Sequence, residues 1–215
     1  SGVGFWPWRC AAGGGGVFGC CPPPRRARRA PPTEILRDRF GPDHYIVRFQ
    51  EPGAAEALFA RDLRRFFRMM MRPGAPRSRW AELVPKVFDL MGRFSSDASF
   101  SGDDLVIDTD DLEAYLHAYE RSGLHGGINL YRNIDANNTA RADADPPIAA
   151  PSLYVGAEND VFLPPEGADP MAALVPDHER HVIPDCGHWI THEAPDALNA
   201  ILIDWLTRRF PASAV

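Results

Sequence analysis

Two residues near the end of the chain stand in settings that suit proton transfer. Asp160 closes the segment Pro-Ser-Leu-Tyr-Val-Gly-Ala-Glu-Asn-Asp (151–160), and His188 lies in Asp-Cys-Gly-His-Trp (185–189). A histidine titrates near neutrality and can take a proton from water. A carboxylate beside it fixes its tautomer and stabilises the imidazolium that forms. Each residue follows a short apolar or β-branched run, so each is expected on a loop just past the carboxyl end of a parallel strand. Open α/β sheets bind ligands at that edge. A lone loop histidine is ordinarily a surface hydrogen-bonder; Asp160 in the matching position turns the reading toward a general base.

A base of this kind needs a nucleophile, and the sequence does not display one. Neither Gly-x-Ser-x-Gly nor Gly-x-Asp-x-Gly occurs. Ser95-Ser96 and Ser99–Ser101 fall in a polar stretch without the strand–turn–helix setting that exposes an attacking group. Cys20-Cys21 has no helix to lower a thiol pKa. His188 and His192 are four apart but lack the intervening Glu of a metalloprotease helix, and His178 and His181 complete no ligand set, so no metal is expected.

The elements that must position these residues follow from pattern. Ser152-Leu-Tyr-Val is a continuous apolar run, as in a strand buried on both faces. A short helix near 168–174 leads to a second strand at about 180–183. A last helix opens at Pro195, with Leu198, Ile201, Leu202, Trp205 and Leu206 on one face. Residues 147–215 therefore read as strand–helix–strand–helix. Two parallel strands make no stable sheet alone, so the expected α/β architecture looks incomplete at its amino-terminal side.

Upstream, residues 51–72 carry apolar positions at helical spacing after Pro52-Gly53, with Leu58, Phe59, Phe66 and Phe67 read as packing ahead of pocket lining. The Met69-Met70-Met71 run also reads as packing, since Met fills irregular apolar gaps. A second helix is expected at about 79–92, and a third at about 109–122 between Asp108 or Thr109 and Gly123. No strand is expected between about 53 and 122.

Composition bounds the rest. Of 215 residues, 45% are hydrophobic and 24% charged, with a net charge of −6, ordinary for a globular chain. Residues 1–40 hold seven Arg against Glu34 and Asp38, a balance of +5, so the remainder carries −11. A net acidic body argues against a nucleic-acid partner. No apolar stretch reaches the ~20 residues of a membrane helix, so no membrane partner is expected. The four cysteines (Cys10, Cys20, Cys21, Cys186) lack a paired framework, which points to a cytoplasmic setting. Residues 1–31 mix Gly, Pro, Arg and Cys without a helical or strand period and read as irregular. Arg25–Arg29 within them reads as a solvated basic tail ahead of a nucleic-acid patch.

Four motifs in order carry a family resemblance. They are Tyr45 to Glu56 (Tyr-x-x-x-Phe-Gln-Glu-Pro-Gly-x-x-Glu), Gly126-Gly-Ile-Asn-Leu-Tyr-Arg-Asn133, the Asp160 segment, and Cys186-Gly-His-Trp189. Together they strongly resemble the soluble-type epoxide hydrolases of the α/β-hydrolase fold, over roughly residues 32–209. The order of acid then histidine after an upstream nucleophile is that of the fold. The resemblance implies an α/β class: residues 32–146 as the connection into a helical cap and the cap itself, and 147–215 as the carboxyl-terminal part of a parallel-sheet core.

It also implies roles. Tyr45 and Tyr131 stand where the family's two cap tyrosines hydrogen-bond the epoxide oxygen; His188 with Asp160 activates water; Phe49 and Trp189 border a small apolar epoxide. An aspartate attacks the epoxide carbon, the ester is hydrolysed, and a vicinal diol leaves with no cofactor. Haloalkane dehalogenases share the aspartate nucleophile, but halide release does not call for the tyrosine pair. The family's nucleophile elbow would fall at or before residue 1, where this chain begins with Ser and runs like GC-rich coding sequence read out of frame. The expectation is a family member lacking its attacking residue, with little or no hydrolysis. The alternative is a non-catalytic fragment that binds an apolar ligand or a partner chain.

Overall fold

The computed structural model describes residues 30–96, 104–140 and 148–211. The expectations for residues 1–29, including Arg25–Arg29 and three of the cysteines, and for Ser99–Ser101, lie outside those ranges. The described residues form two compact units. One comprises 30–72 and 78–140 and is helical; the other comprises 73–77 and 148–211 and holds the sheet.

In the helical unit, α1 (Pro32–Phe40) starts on Pro at its first turn, where the missing N–H costs nothing. His44 then caps α2 (Tyr45–Arg48), its Nδ1 accepting from the Ile46 N–H at 3.2 Å. The helical stretch expected over 51–72 is broken in two, α3 (Ala54–Phe59) and α4 (Leu63–Met70). The break is made by Asp62, whose carboxylate accepts from Arg65 N at 2.8 Å and starts a new helix. Asp89 does the same to the stretch expected over 79–92. It accepts from Gly92 N at 2.8 Å and separates α5 (Trp80–Val87) from α6 (Leu90–Ser96).

Ser95 and Ser96 therefore lie in a helix's last turn and not in a loop; their hydroxyls donate to the carbonyls of Met91 and Gly92. α7 (Thr109–Ser122) matches expectation, with Asp108 capping Asp111 N and Gly123 closing it at φ +68°. α8 (His125–Arg132) and α9 (Ile134–Ala140) follow. Gly126-Gly127 lowers local helix propensity and hides α8 from a pattern reading.

The unit's core gathers Phe49, Ala55, Phe59, Met69, Leu90, Met91, Phe94, Leu124 and Ile128. Met71 and Phe67 are also buried, so the methionine run and most of the phenylalanines pack internally.

In the other unit, β1 (Ser152–Ala157) pairs in parallel with β2 (His178–Ile183), in register from Ser152 opposite His178 to Ala157 opposite Ile183. Among the described residues these two strands form the sheet. The crossover holds the short helix expected near 168–174, which is a 3-10 helix over Pro165–Ala173. Pro170 inside it lacks the N–H that an α-helical ladder requires. After β2 come α10 (Ile190–Glu193) and α11 (Pro195–Arg209). α11 buries Leu198 and Trp205 against the sheet unit, whereas Leu206, expected on the same face, is 46% exposed. Among the described residues no helix is long and apolar enough to cross a membrane.

Candidate active site

β1 and β2 end side by side, and the loops beyond them are laced together. Glu158 N donates to Ile183 O, and Asn159 N donates to Cys186 O at 2.8 Å. The Glu158 carboxylate accepts from Asp185 N at 3.0 Å, and Asp185 takes a left-handed φ of +51° to turn the chain. Asp and Asn tolerate that region better than other residues with side chains. The lacing brings Asp160 and His188 face to face: His188 Nδ1 lies 3.0 Å from both carboxylate oxygens of Asp160.

Asp160 is buried and held from the other side as well. Its Oδ1 accepts from Phe162 N and Leu163 N, each at 2.9 Å. A carboxylate fixed by two amides can present itself to the imidazole without reorganising. The His188 ring packs against Phe162 and Trp189, at centroid distances of 5.0 and 5.2 Å, with Trp189 edge-on. Cys186 beside it is buried, and desolvation pushes its thiol up to about 11. It is thus a neutral packing group and not a thiolate nucleophile.

Glu193 is a site residue that sequence reasoning missed. Its Oε1 accepts from Trp189 N at 3.0 Å, and its Oε2 from Gly187 N at 2.9 Å and Gly74 N at 3.0 Å. A Glu at the end of a four-residue helix carries no motif by itself. Its position, five residues after His188 and two before Pro195, was the available signal.

The helical unit places Tyr45 and Tyr131 against one another, ring centroids 5.5 Å apart and edge to face at 83°. Phe49 is buried and sits 5.5 Å from each of them, edge-on to both. Gln50 Nε2 donates to Ile46 O and to Tyr131 O, tying α2 to α8. Arg132, next to Tyr131, donates to Phe49 O and Glu51 O and forms a forked pair with Glu56. That pair holds the Glu56 carboxyl down at about 2, chiefly through the Arg132 hydrogen bonds. Thus Tyr45, Phe49 and Tyr131 meet within one unit, and Asp160, His188 and Trp189 meet within the other. Among the described residues no cluster of three or more His, Cys, Asp or Glu is arranged to hold a metal ion.

A family profile for the alpha/beta hydrolase fold matches residues 84–195. The chain belongs to the α/β-hydrolase fold family. It is 34% identical over 184 residues to epoxide hydrolase A of Mycobacterium tuberculosis, covering 82% of this chain and 56% of that protein. It is 33% identical over 163 residues to bifunctional epoxide hydrolase 2 of Sus scrofa, covering 75% of this chain and 29% of that protein. Epoxide hydrolase A from Mycobacterium thermoresistibile superposes with a TM-score of 0.70 at 28% identity, over 86% of this chain and 59% of that one. The resemblance carried by the four motifs therefore holds, and this α/β hydrolase spans little more than half the length of the first relative.

Proposed function

We propose that this chain carries the water-activating dyad and the oxygen-polarising tyrosines of an epoxide hydrolase, acting on a small apolar epoxide in the cytoplasm. The observation that carries the reading is the His188–Asp160 contact, 3.0 Å to both oxygens. A histidine whose Nδ1–H is held by a buried carboxylate exposes the basic tautomer at Nε2. That is the arrangement needed to draw a proton from water attacking an aspartyl ester.

The tyrosine pair supplies the complementary need. As an epoxide carbon is attacked, the C–O bond breaks and the ring oxygen gains negative charge. Two phenol O–H donors aimed at that oxygen stabilise it and then protonate the alkoxide. Phe49 packs edge-on to both rings, and Trp189 walls the histidine. The proposed division has residues 32–146 as the connection into the cap and the cap itself, and 147–215 as the carboxyl-terminal part of the core; no cofactor enters any step.

The ester step needs a nucleophile, and residues 1–215 hold no Gly-x-Asp-x-Gly elbow. Little or no turnover is therefore expected from this chain alone. The same observation favours a second reading, a fragment that binds an apolar ligand without turnover. The test is diol formation from a chromogenic aryl epoxide, with binding measured in parallel and His188→Gln as control. Turnover lost in the control identifies an attacking group and supports the hydrolase. Saturable binding without turnover supports the second reading. A folded chain that neither binds nor hydrolyses the epoxide overturns both.

A further inference from the structure

We propose that Glu193 is a positioning residue for His188, clamping the backbone on both sides of the histidine. The proposal rests on reading His188 as the base. One carboxylate accepts three backbone N–H groups: Oε1 that of Trp189 at 3.0 Å, and Oε2 those of Gly187 at 2.9 Å and Gly74 at 3.0 Å. Gly187 and Trp189 are the immediate neighbours of His188. Hydrogen bonds to an ionised acceptor are shorter and stronger than neutral ones, so the amides of the two residues on either side of His188 share one anchor.

The third bond explains an otherwise odd pair of glycines. A Cβ on Gly74 would lie 2.4 Å from Gly187 Cα, and a Cβ on Gly187 would lie 2.3 Å from Gly74 Cα and 2.8 Å from Glu193 Oε1. Only two glycines let these backbones approach closely enough for one carboxylate to reach both N–H groups. The segment 73–77 that bears Gly74 also braces the acid loop: Arg77 Nε donates to Glu158 O at 2.8 Å, and Arg77 pairs with Glu166 at 2.7 Å. The base loop and the acid loop are thus held by one strap, with Glu193 as its fastening to the base.

Glu193 touches neither the His188 ring nor any reacting atom in these contacts, so its effect passes through the backbone to the Nδ1–Asp160 bond. Glu193→Gln keeps the shape but turns an NH2 toward one or two of the N–H groups it served, leaving donors without an acceptor. The first readout uses no epoxide. It is the low-field proton resonance of His188 Nδ1–H in the full chain, assigned by its loss in His188→Gln. Glu193→Gln is expected to broaden or abolish that resonance while the His178 imidazole, on Val175 O, keeps its signals. Leu198→Ala, which loosens α11 through a buried apolar contact, is expected to leave it in place.

An unchanged His188 resonance in folded Glu193→Gln overturns the proposal, as does equal loss in Leu198→Ala. Amide exchange on the unaltered chain tests the clamp without any variant. Gly74, Gly187 and Trp189 amides should be protected by at least about a hundredfold, and free exchange at Gly187 and Trp189 overturns it. Absence of epoxide turnover, with these signals as stated, counts against the proposed reaction and leaves the clamp standing.

Discussion

Arg132 and Glu56, 76 positions apart in the chain, meet as a fork on a fork, Nη1 on Oε1 at 2.6 Å and Nη2 on Oε2 at 2.9 Å. Both side chains are largely buried, 12% and 17% exposed, so the pair is not one of the weak surface bridges that water and salt dissolve. Arg132 is the residue after Tyr131 in α8. Removing one partner leaves a charge in a poor place. Arg132→Gln is expected to destabilise the helical unit by about 2 kcal/mol, read as an earlier denaturation midpoint in urea. Equal midpoints for Arg132→Gln and parent would count against this role.

The pH dependence of that unit follows from two groups with depressed folded values. Glu56 is held at about 2 by Arg132; its contribution is complete above the unfolded carboxylate range and is lost as pH falls toward 2. His44, buried among Phe40, Tyr45 and Phe88, is pushed down to about 4 by desolvation. Between about 6.5 and 4 the unfolded chain binds a proton that the folded unit refuses. Stability contributed by neutral His44 is therefore present above 6.5 and declines as pH falls to 4, by at most about 3 kcal/mol. A urea series from pH 8 to 4 should show that slope, and His44→Gln should flatten it.

Asp160→Asn should disturb the base more than the fold. The asparagine oxygen can still accept from Phe162 N and Leu163 N, but its NH2 then faces His188 Nδ1 and selects the other tautomer. The nitrogen-15 shifts of His188 should exchange their Nδ1-H pattern for an Nε2-H pattern. Any His188-dependent hydrolysis should fall by roughly a thousandfold. Retention of the parent pattern would argue against Asp160 as the partner acid.

Tyr45→Phe and Tyr131→Phe each remove a donor while leaving the aromatic cluster with Phe49 filled. Saturable binding of an aryl epoxide should weaken by about tenfold for either change, the loss of about one hydrogen bond. Turnover, where present, should drop about a hundredfold or more, and thermal midpoints should move little. A variant that binds and unfolds like the parent would exclude that tyrosine from the oxygen site.

Gly53 and Gly123 end or begin helices at φ +81° and +68°. No atom crowds either position, so substitution tests backbone strain alone. Gly123→Ala is expected to cost about 1 kcal/mol, seen as a lower thermal midpoint, and Gly126→Ala, in the first turn of α8, to be neutral or stabilising.

Much of the local structure of this protein was legible in the residues. β1 and β2, the capped α7 and the Pro195 start of α11 follow from period and caps, because those signals act within a few residues. The Asp160 and His188 loops follow from the strands before them, whereas the roles proposed for Tyr45 and Tyr131 rest on the family resemblance of their motifs. The helix breaks at Asp62 and Asp89 were less legible: an Asp inside a helical pattern caps a new helix only if the chain bends there. Tertiary structure alone decided what depends on distant segments meeting. It brought Asp160 to the Nδ1 side of His188, set Arg132 on Glu56, and passed Gly74 close enough to Gly187 for Glu193 to hold both. Such contacts carry no periodic signature, since each depends on the packing of whole elements and not on the residues beside it.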